Sequence, residues 1–296
     1  MCGSLFVICM KNRSLPRCVR AWGPLLALAF AARANGATLK SETALAWNKY
    51  LQSSNETLQS RVAPGGNFLW TLEDEKRATK VRAGEIVIEP APGQVPKRVS
   101  GGLIHHWMGA AFLSNVTLDD VLAVTGNYER YKDIYSPSVR VSQLLSSNGS
   151  QDAIRLVFLN KTMFMKSAVD ANYEITNVHI DKSRFYSTSN ATRIQEVADY
   201  GHPNEHLLPE GQGDGFVWKI FAITRLEQRD GGVYFELEGI ELSRGIPAML
   251  RFIVEPMVRS VSRRLMLESV RQTREAVAKR GDTNTVISSE GTGPKK

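Results

Sequence analysis

Cysteine is confined to the first 18 residues of this 296-residue chain, at Cys2, Cys9 and Cys18. If that leader is removed on export, the remaining protein has no thiol. That excludes disulfides, cysteine nucleophiles and thiolate metal sites together. A membrane-spanning run is also missing. The uncharged stretch Trp22–Ala32 is about half of the roughly 20 residues a bilayer requires, so a permanent anchor is not expected. A general excess of positive charge is missing as well. The net charge is +7, but five basic residues and no acidic ones precede Asn35; without them 32 basic groups face 30 acidic ones, a net +2. That near balance removes the main support for a nucleic-acid partner. No repeat or low-complexity block interrupts the chain, which is long enough to bury a sizeable core.

What is present begins with the leader. Lys11, Arg13, Arg17 and Arg20 form a basic stretch, the apolar run follows, and Ala32-Arg33-Ala34 reads as an A-x-A cleavage site, with Ala34-Asn35-Gly36 as a near neighbour. Residues 1–34 are therefore expected to be a secretory signal peptide, and the mature protein to be secreted or periplasmic. No cysteine stands just after the apolar run, so a lipid anchor there is not expected.

In the mature chain, Leu39, Ala46, Trp47, Tyr50, Leu51 and Leu58 recur at helical spacing and predict an amphipathic helix over 38–62. Glu85–Ile88 reads as a short strand. Three prolines and three glycines between Pro90 and Gly102 mark a linker. Residues 38–98 are thus expected to be a helical extension and linker ahead of a main domain over 99–280. That domain opens with a β-rich run, Leu103–Leu113. Thr117-Leu118-Asp119-Asp120 is a capping box for a short helix, which breaks at Gly126-Asn127 and resumes through Tyr128, Tyr131 and Tyr135 until Pro137.

Six strand candidates follow, with period-two alternation. Met163, Met165, Val169, Ala171, Tyr173 and Ile175 share one face; Phe216, Trp218, Ile220, Ala222 and Leu226 share another; Val233, Phe235 and Leu237 alternate with Tyr234, Glu236 and Glu238. Such runs predict antiparallel strands with one buried face. Asp230-Gly231 predicts a two-residue hairpin that sets Leu226 against Phe235 inside and Arg225 against Glu236 outside. A helix from Pro247 to about Arg280 closes the domain. Its expected apolar stripe is Leu250, Val254, Met257, Val261 and Leu265, with a kink at Pro256; 281–296 reads as a disordered tail.

The order of strand, two short helices, about six antiparallel strands and a long helix resembles the START-like (SRPBCC, polyketide cyclase-like) superfamily. The resemblance covers Leu103 to Arg280. It is carried by Gly101-Gly102-Leu103-Ile104-His105-His106-Trp107, by Val124-Thr125-Gly126-Asn127-Tyr128-Glu129-Arg130-Tyr131, and by Gly231-Gly232-Val233-Tyr234-Phe235-Glu236-Leu237-Glu238 running through Ser243-Arg244-Gly245-Ile246-Pro247. These segments look like exported bacterial members, whose resemblance reaches back to Ala83-Gly84-Glu85-Ile86-Val87. The resemblance implies an α+β helix-grip fold, a curved antiparallel sheet of about seven strands around the C-terminal helix, with an apolar cavity between them. Members bind lipids, quinones or polyketides, or act as cyclases and hydrolases. No invariant catalytic motif comes with the superfamily.

The apolar parity puts Phe158, Met165, Trp218, Ile220, Phe235 and Leu237 toward that cavity, with Met257 and Val261 on the facing helix. His105 and His106 are weak polar candidates. As strand neighbours they point to opposite faces, so they do not share a metal, and His105 goes with Trp107. Glu236 and Glu238 lie about 6.5 Å apart on one strand face, but on the polar face with Arg225. A surface ion pair is the expectation there. The loop from Asp199 to Gly215, with His202 and His206, reads better as a cavity lid than as a metal site. Between Arg244 and Arg280 nine basic residues face three acidic ones, which allows transient contact with a membrane surface. No motif implies a metal or cofactor. The expected function is an exported binding protein for a hydrophobic small molecule (lipid-like, quinone or aromatic). The alternative is a cyclase- or hydrolase-type enzyme using the same cavity.

Overall fold

The periodic segments become elements in the computed structural model. It describes residues 38–290 except 94, 162–165 and 214–216, and their side chains except at 160, 161, 166, 167, 253 and 281–290. Helix α1 (Ser41–Val62) precedes a 3-10 turn (Trp70–Glu73) and helix α2 (Glu75–Arg82), which Asp74 caps by accepting from the Arg77 amide. Strands β1 (Val87–Pro90), β2 (Lys97–Val99) and β3 (Gly102–Ser114) come next. The capping box forms as expected: the Thr117 hydroxyl accepts from the Asp120 amide, the Asp120 carboxylate accepts from the Thr117 amide, and helix α3 (Leu118–Thr125) begins. After Gly126 come a 3-10 turn (Tyr128–Arg130) and helix α4 (Tyr131–Ile134). Strands β4 (Val139–Ser147), β5 (Gln151–Lys161), β6 (Lys166–His179), β7 (Arg184–Ala198), β8 (His206–Leu207), β9 (Lys219–Arg229) and β10 (Gly232–Arg244) lead to helix α5 (Arg251–Glu290).

All pairings are antiparallel, in the order β1-β3-β10-β9-β7-β6-β5-β4, with β2 beside β3 and β8 beside β7. This sheet with its closing helix is the helix-grip fold. The Asp230-Gly231 hairpin has the expected register: Arg229 opposes Gly232, Leu226 opposes Phe235 and Arg225 opposes Glu236. Both turn residues have positive φ, 56° and 78°, the geometry a tight hairpin needs and that Asp-Gly tolerates.

Helix α5 packs on the inner face of β3 and β10, but on a different stripe from the one expected. Met266, Val270, Thr273 and Val277 are buried, whereas Val254, Met257 and Val261 are half-buried and Leu265 is exposed. The strands decide this phase. A Cβ on Gly109 would lie 2.9 Å from Val270 Cγ2, and one on Gly239 would lie 2.9 Å from Met266 Cε. The helix therefore seats where the sheet carries no side chains. The helix continues to Glu290, through part of the stretch expected to be a tail. The leader and 291–296 lie outside the described residues.

The outer face is covered too. Trp47 and Leu58 of α1 pack with Ile104, Phe221, Ile223, Ile240 and Leu242. Phe68, Leu69, Trp70 and Val81 pack with Met108, Ala110 and Tyr234. The Pro90–Gly102 stretch carries β1 and β2 against β3 with Ala91 and Val95 buried, so it belongs to the sheet.

Candidate ligand groove

The central strands are covered more completely outside than inside. On the outer face Phe221, Ile223, Arg225, Tyr234, Glu236, Glu238, Ile240 and Leu242 are all buried. On the inner face Ile220, Ala222, Thr224, Leu237, Gly239 and Glu241 are only half-buried. Antiparallel register sorts these inner residues into rows across the sheet. One row is Ile175, Ser189, Ala222, Gly239, Trp107, and the next is Asn177, Ser187, Thr224, Leu237, Gly109. From β7 to β10 these two rows are mostly Gly, Ala, Ser and Thr. Small side chains on a strand face leave depth beneath whatever covers them, so the floor is recessed.

Larger groups close the recess. At one end Phe185, Leu226 and Phe235 are fully packed in the core with Met266 and Val270. Along the side, Tyr128, Tyr131, Phe158, Leu156, Ile194 and Ile220 gather around Tyr173 and Ile154. Tyr128 donates to Asp152 Oδ2 at 2.9 Å, and Asn177 donates to the same oxygen at 2.6 Å. Burial, with the Asp152 contact adding to it, pushes the Tyr128 hydroxyl up to about 12. The half-buried Met257 and Val261 lie one to three turns before Met266, roughly 7–14 Å along the axis, toward the other end.

At that end Ile220, Glu241 and His105 follow one another across β9, β10 and β3, and Tyr173 opposes Ala191 across β6 and β7, with Ile220 packed against the cluster that holds both. His105 is 3% exposed; its Nε2 meets Ser243 Oγ at 2.9 Å, and its Nδ1 has no hydrogen-bond partner. Burial alone pulls its pKa down to about 4. Glu241 stands directly across from it, and desolvation pushes that carboxyl upward. The Tyr173 hydroxyl is raised by burial and then by the Glu241 charge. All three shifts favour the uncharged form. Trp107 Nε1, on the same face, is buried without a partner as well.

The expected cavity residues divide accordingly. Phe235 and Leu237 join the core under α5, while Phe158 and Ile220 line the tyrosine side. Trp218 packs instead with the outer cluster of Trp47, Ile104 and Leu242. It precedes β9, so strand parity does not bind it. Met165 lies outside the described residues, as does Met163.

Glu236 and Glu238 correct a second expectation. Their ion pairs exist, but deep in the protein. Arg225 Nε donates to Glu236 at 2.9 Å and Nη1 to Glu238 at 2.8 Å, with the Arg225 and Glu236 side chains at most 1% exposed. Glu236 also accepts from the Trp70 and Thr71 amides and the Thr71 hydroxyl. Glu238 accepts from Ser54 and from His106 Nε2 at 2.9 Å, and His106 Nδ1 meets the Tyr50 hydroxyl at 2.9 Å. Burial opposes the Glu238 charge, but His106 and Arg225 outweigh it and hold its pKa at about 2. The Glu238–His106–Tyr50 chain has the order of a nucleophilic triad without its chemistry. Burial first and Glu238 second raise the Tyr50 hydroxyl, away from an activated nucleophile. This network fastens the N-terminal segment to the sheet. A signal for it stood in the sequence: Leu103–Leu113 is apolar on both parities, the mark of a strand covered on both faces.

Residues 199–213 do not close over the groove at their near end. Tyr200, Glu205, His206 and Leu207 border a cleft of about 480 Å³ with Arg140, Arg155 and Asp170, on the outer face. No cluster of three metal-ligating side chains exists among the described residues. No helix there is long and apolar enough to cross a membrane.

No family model matches the sequence, and no curated protein does. Solved structures do match. The STAR-related lipid transfer protein from Xanthomonas axonopodis is 17% identical with a TM-score of 0.41, covering 64% of this chain and 98% of that one. The Zhui aromatase/cyclase from Streptomyces sp. R1128 is 11% identical with a TM-score of 0.42, covering 60% and 95%. Human StAR-related lipid transfer protein 5 is 13% identical with a TM-score of 0.41, covering 71% and 93%.

Proposed function

We propose that this protein is an exported carrier that holds an apolar small molecule in the groove between the inner sheet face and the first half of α5. The observation that supports this most is the inversion of coverage on β9 and β10: outer face buried, inner face half-open over a floor of Ala222, Thr224, Ser187, Ser189 and Gly239. A well-packed interior has no reason to pair small residues with half-exposed apolar ones.

The test is binding of an apolar fluorescent probe, 1-pyrenebutanol, to the protein. Ala222→Phe fills the floor and should reduce probe affinity about tenfold or more without lowering the melting temperature. If the space is already filled, the same change should instead destabilise by about 1–3 kcal/mol and the wild type should bind no probe. Export is tested separately. Protein from the extracytoplasmic fraction should begin between Asn35 and Thr38, and full-length protein found only in the cytosol would remove that part of the reading. Release at a membrane surface is the natural counterpart of carriage. Met249 and Phe252, 80% and 73% exposed, flank Arg251 just where α5 begins. Phe252→Asp should weaken co-sedimentation with anionic vesicles; unchanged sedimentation would argue against such contact.

A further inference from the structure

We propose that His105, Glu241 and Tyr173 form a polar subsite at one end of the groove that takes the uncharged hydroxyl of an otherwise apolar ligand, an alcohol or a phenol. The proposal rests on the groove reading and goes further by naming the ligand's functional group. Its basis is register and unmet hydrogen bonding. His105 and Glu241 are direct cross-strand partners on the inner face, and Ile220 flanks Glu241 on the other side. Tyr173 opposes small Ala191 on β7, packs in one cluster with Ile220, and senses the Glu241 charge.

Two nitrogens on this face, His105 Nδ1 and Trp107 Nε1, are buried without a partner among the described residues. His105 is 3% exposed with Nδ1 unpartnered, although its other ring nitrogen is held by Ser243. Neither the Tyr173 hydroxyl nor the Glu241 carboxyl has a hydrogen-bond partner among the described residues. Trp107 Nε1, two residues along β3 on the same face, is a further buried donor without a partner. Buried polar groups are almost always paired, so two buried orphans on one face of a groove, His105 Nδ1 and Trp107 Nε1, point to a partner that the protein itself does not supply. A hydroxyl suits them because it both donates and accepts, and so satisfies either tautomer of His105 and a carboxyl in either protonation state. A carboxylate ligand would set like charge or an unpaired acceptor beside Glu241. An ether would only accept.

The experiment compares 1-pyrenebutanol, its methyl ether, 1-pyrenebutyrate and 1-pyrenebutylamine on the full chain. The alcohol should bind about tenfold tighter than the ether, the worth of one to two buried hydrogen bonds. It should also bind more tightly than either charged probe. Tyr173→Phe and Glu241→Leu should each bring the alcohol within about threefold of the ether while ether affinity and melting temperature hold. Residues that are merely structural would not move this ratio, since neither has a partner to lose. Equal binding of alcohol and ether by the wild type would overturn the subsite and leave the groove standing. Tighter binding of the butyrate or the amine would assign it to a charged ligand instead. Binding of no probe at all would overturn both the groove and the subsite.

Discussion

Arg225 shows how far a single side chain is committed to this fold. Its guanidinium sits between Glu236 and Glu238, under Trp70, Thr71 and Ser54. Arg225→Ala would leave two carboxylates buried without their cation, and the loss should be about 3–5 kcal/mol, read as a lower midpoint in chemical denaturation. A change under about 1 kcal/mol would place the pair in the class of exposed ion pairs. Acid sensitivity follows from two groups with separate windows. His105 has a folded pKa near 4 against an ordinary 6.5, so the unfolded chain takes up the proton first. Stability is therefore expected to fall as pH drops from about 6.5 to 4, by about 3 kcal/mol if the whole gap is expressed. His105→Gln should flatten that part of the stability–pH curve. Glu238, held near 2 against an ordinary 4.5, contributes stability that is complete above 4.5 and lost below it. The slope under pH 4.5 should survive in His105→Gln.

At the scale of elements, α5 does two jobs with its two halves. The second half, Met266 to Val277, is seated on Gly109 and Gly239 and closes the core. In the first half Val254, Met257 and Val261 stay half-buried. Val270→Asp should therefore destabilise by about 3 kcal/mol or more, because a carboxylate there has neither water nor a partner. Val261→Asp should be clearly milder. Equal losses in thermal denaturation would mean that both halves are packed alike and that the groove is closed.

At the scale of the whole molecule, the sheet depends on the segment that precedes it. Residues 41–82 supply Trp47, Leu58, Phe68, Leu69 and Trp70 to the outer clusters and four hydrogen bonds to Glu236 and Glu238. A chain beginning at residue 99 would expose that apolar face and leave Arg225, Glu236 and Glu238 without cover. It is expected to be insoluble, or to lack the near-ultraviolet dichroism of a fixed core, while a chain beginning at residue 35 folds. A soluble, cooperatively melting truncation would show that the extension is dispensable.

The sequence by itself determined the local structure: the Thr117 cap, the Asp230-Gly231 turn with its register, and the inner parity of Phe158, Ile220, Phe235 and Leu237. Each depends on neighbours within a few residues or on a period of two, and both are written in the chain. Tertiary structure decided what covers each face. Parity says that Arg225, Glu236 and Glu238 share a side, but only docking of α1 and the Trp70 turn makes that side interior and converts a surface pair into a buried network. The α5 stripe likewise follows from Gly109 and Gly239, which lie far before the helix in the chain, and not from the helix's own pattern. The orphaned His105 Nδ1 and the Glu241 opposite it become visible only when register pairs β3 with β10, because contacts across a sheet join residues that the sequence keeps far apart.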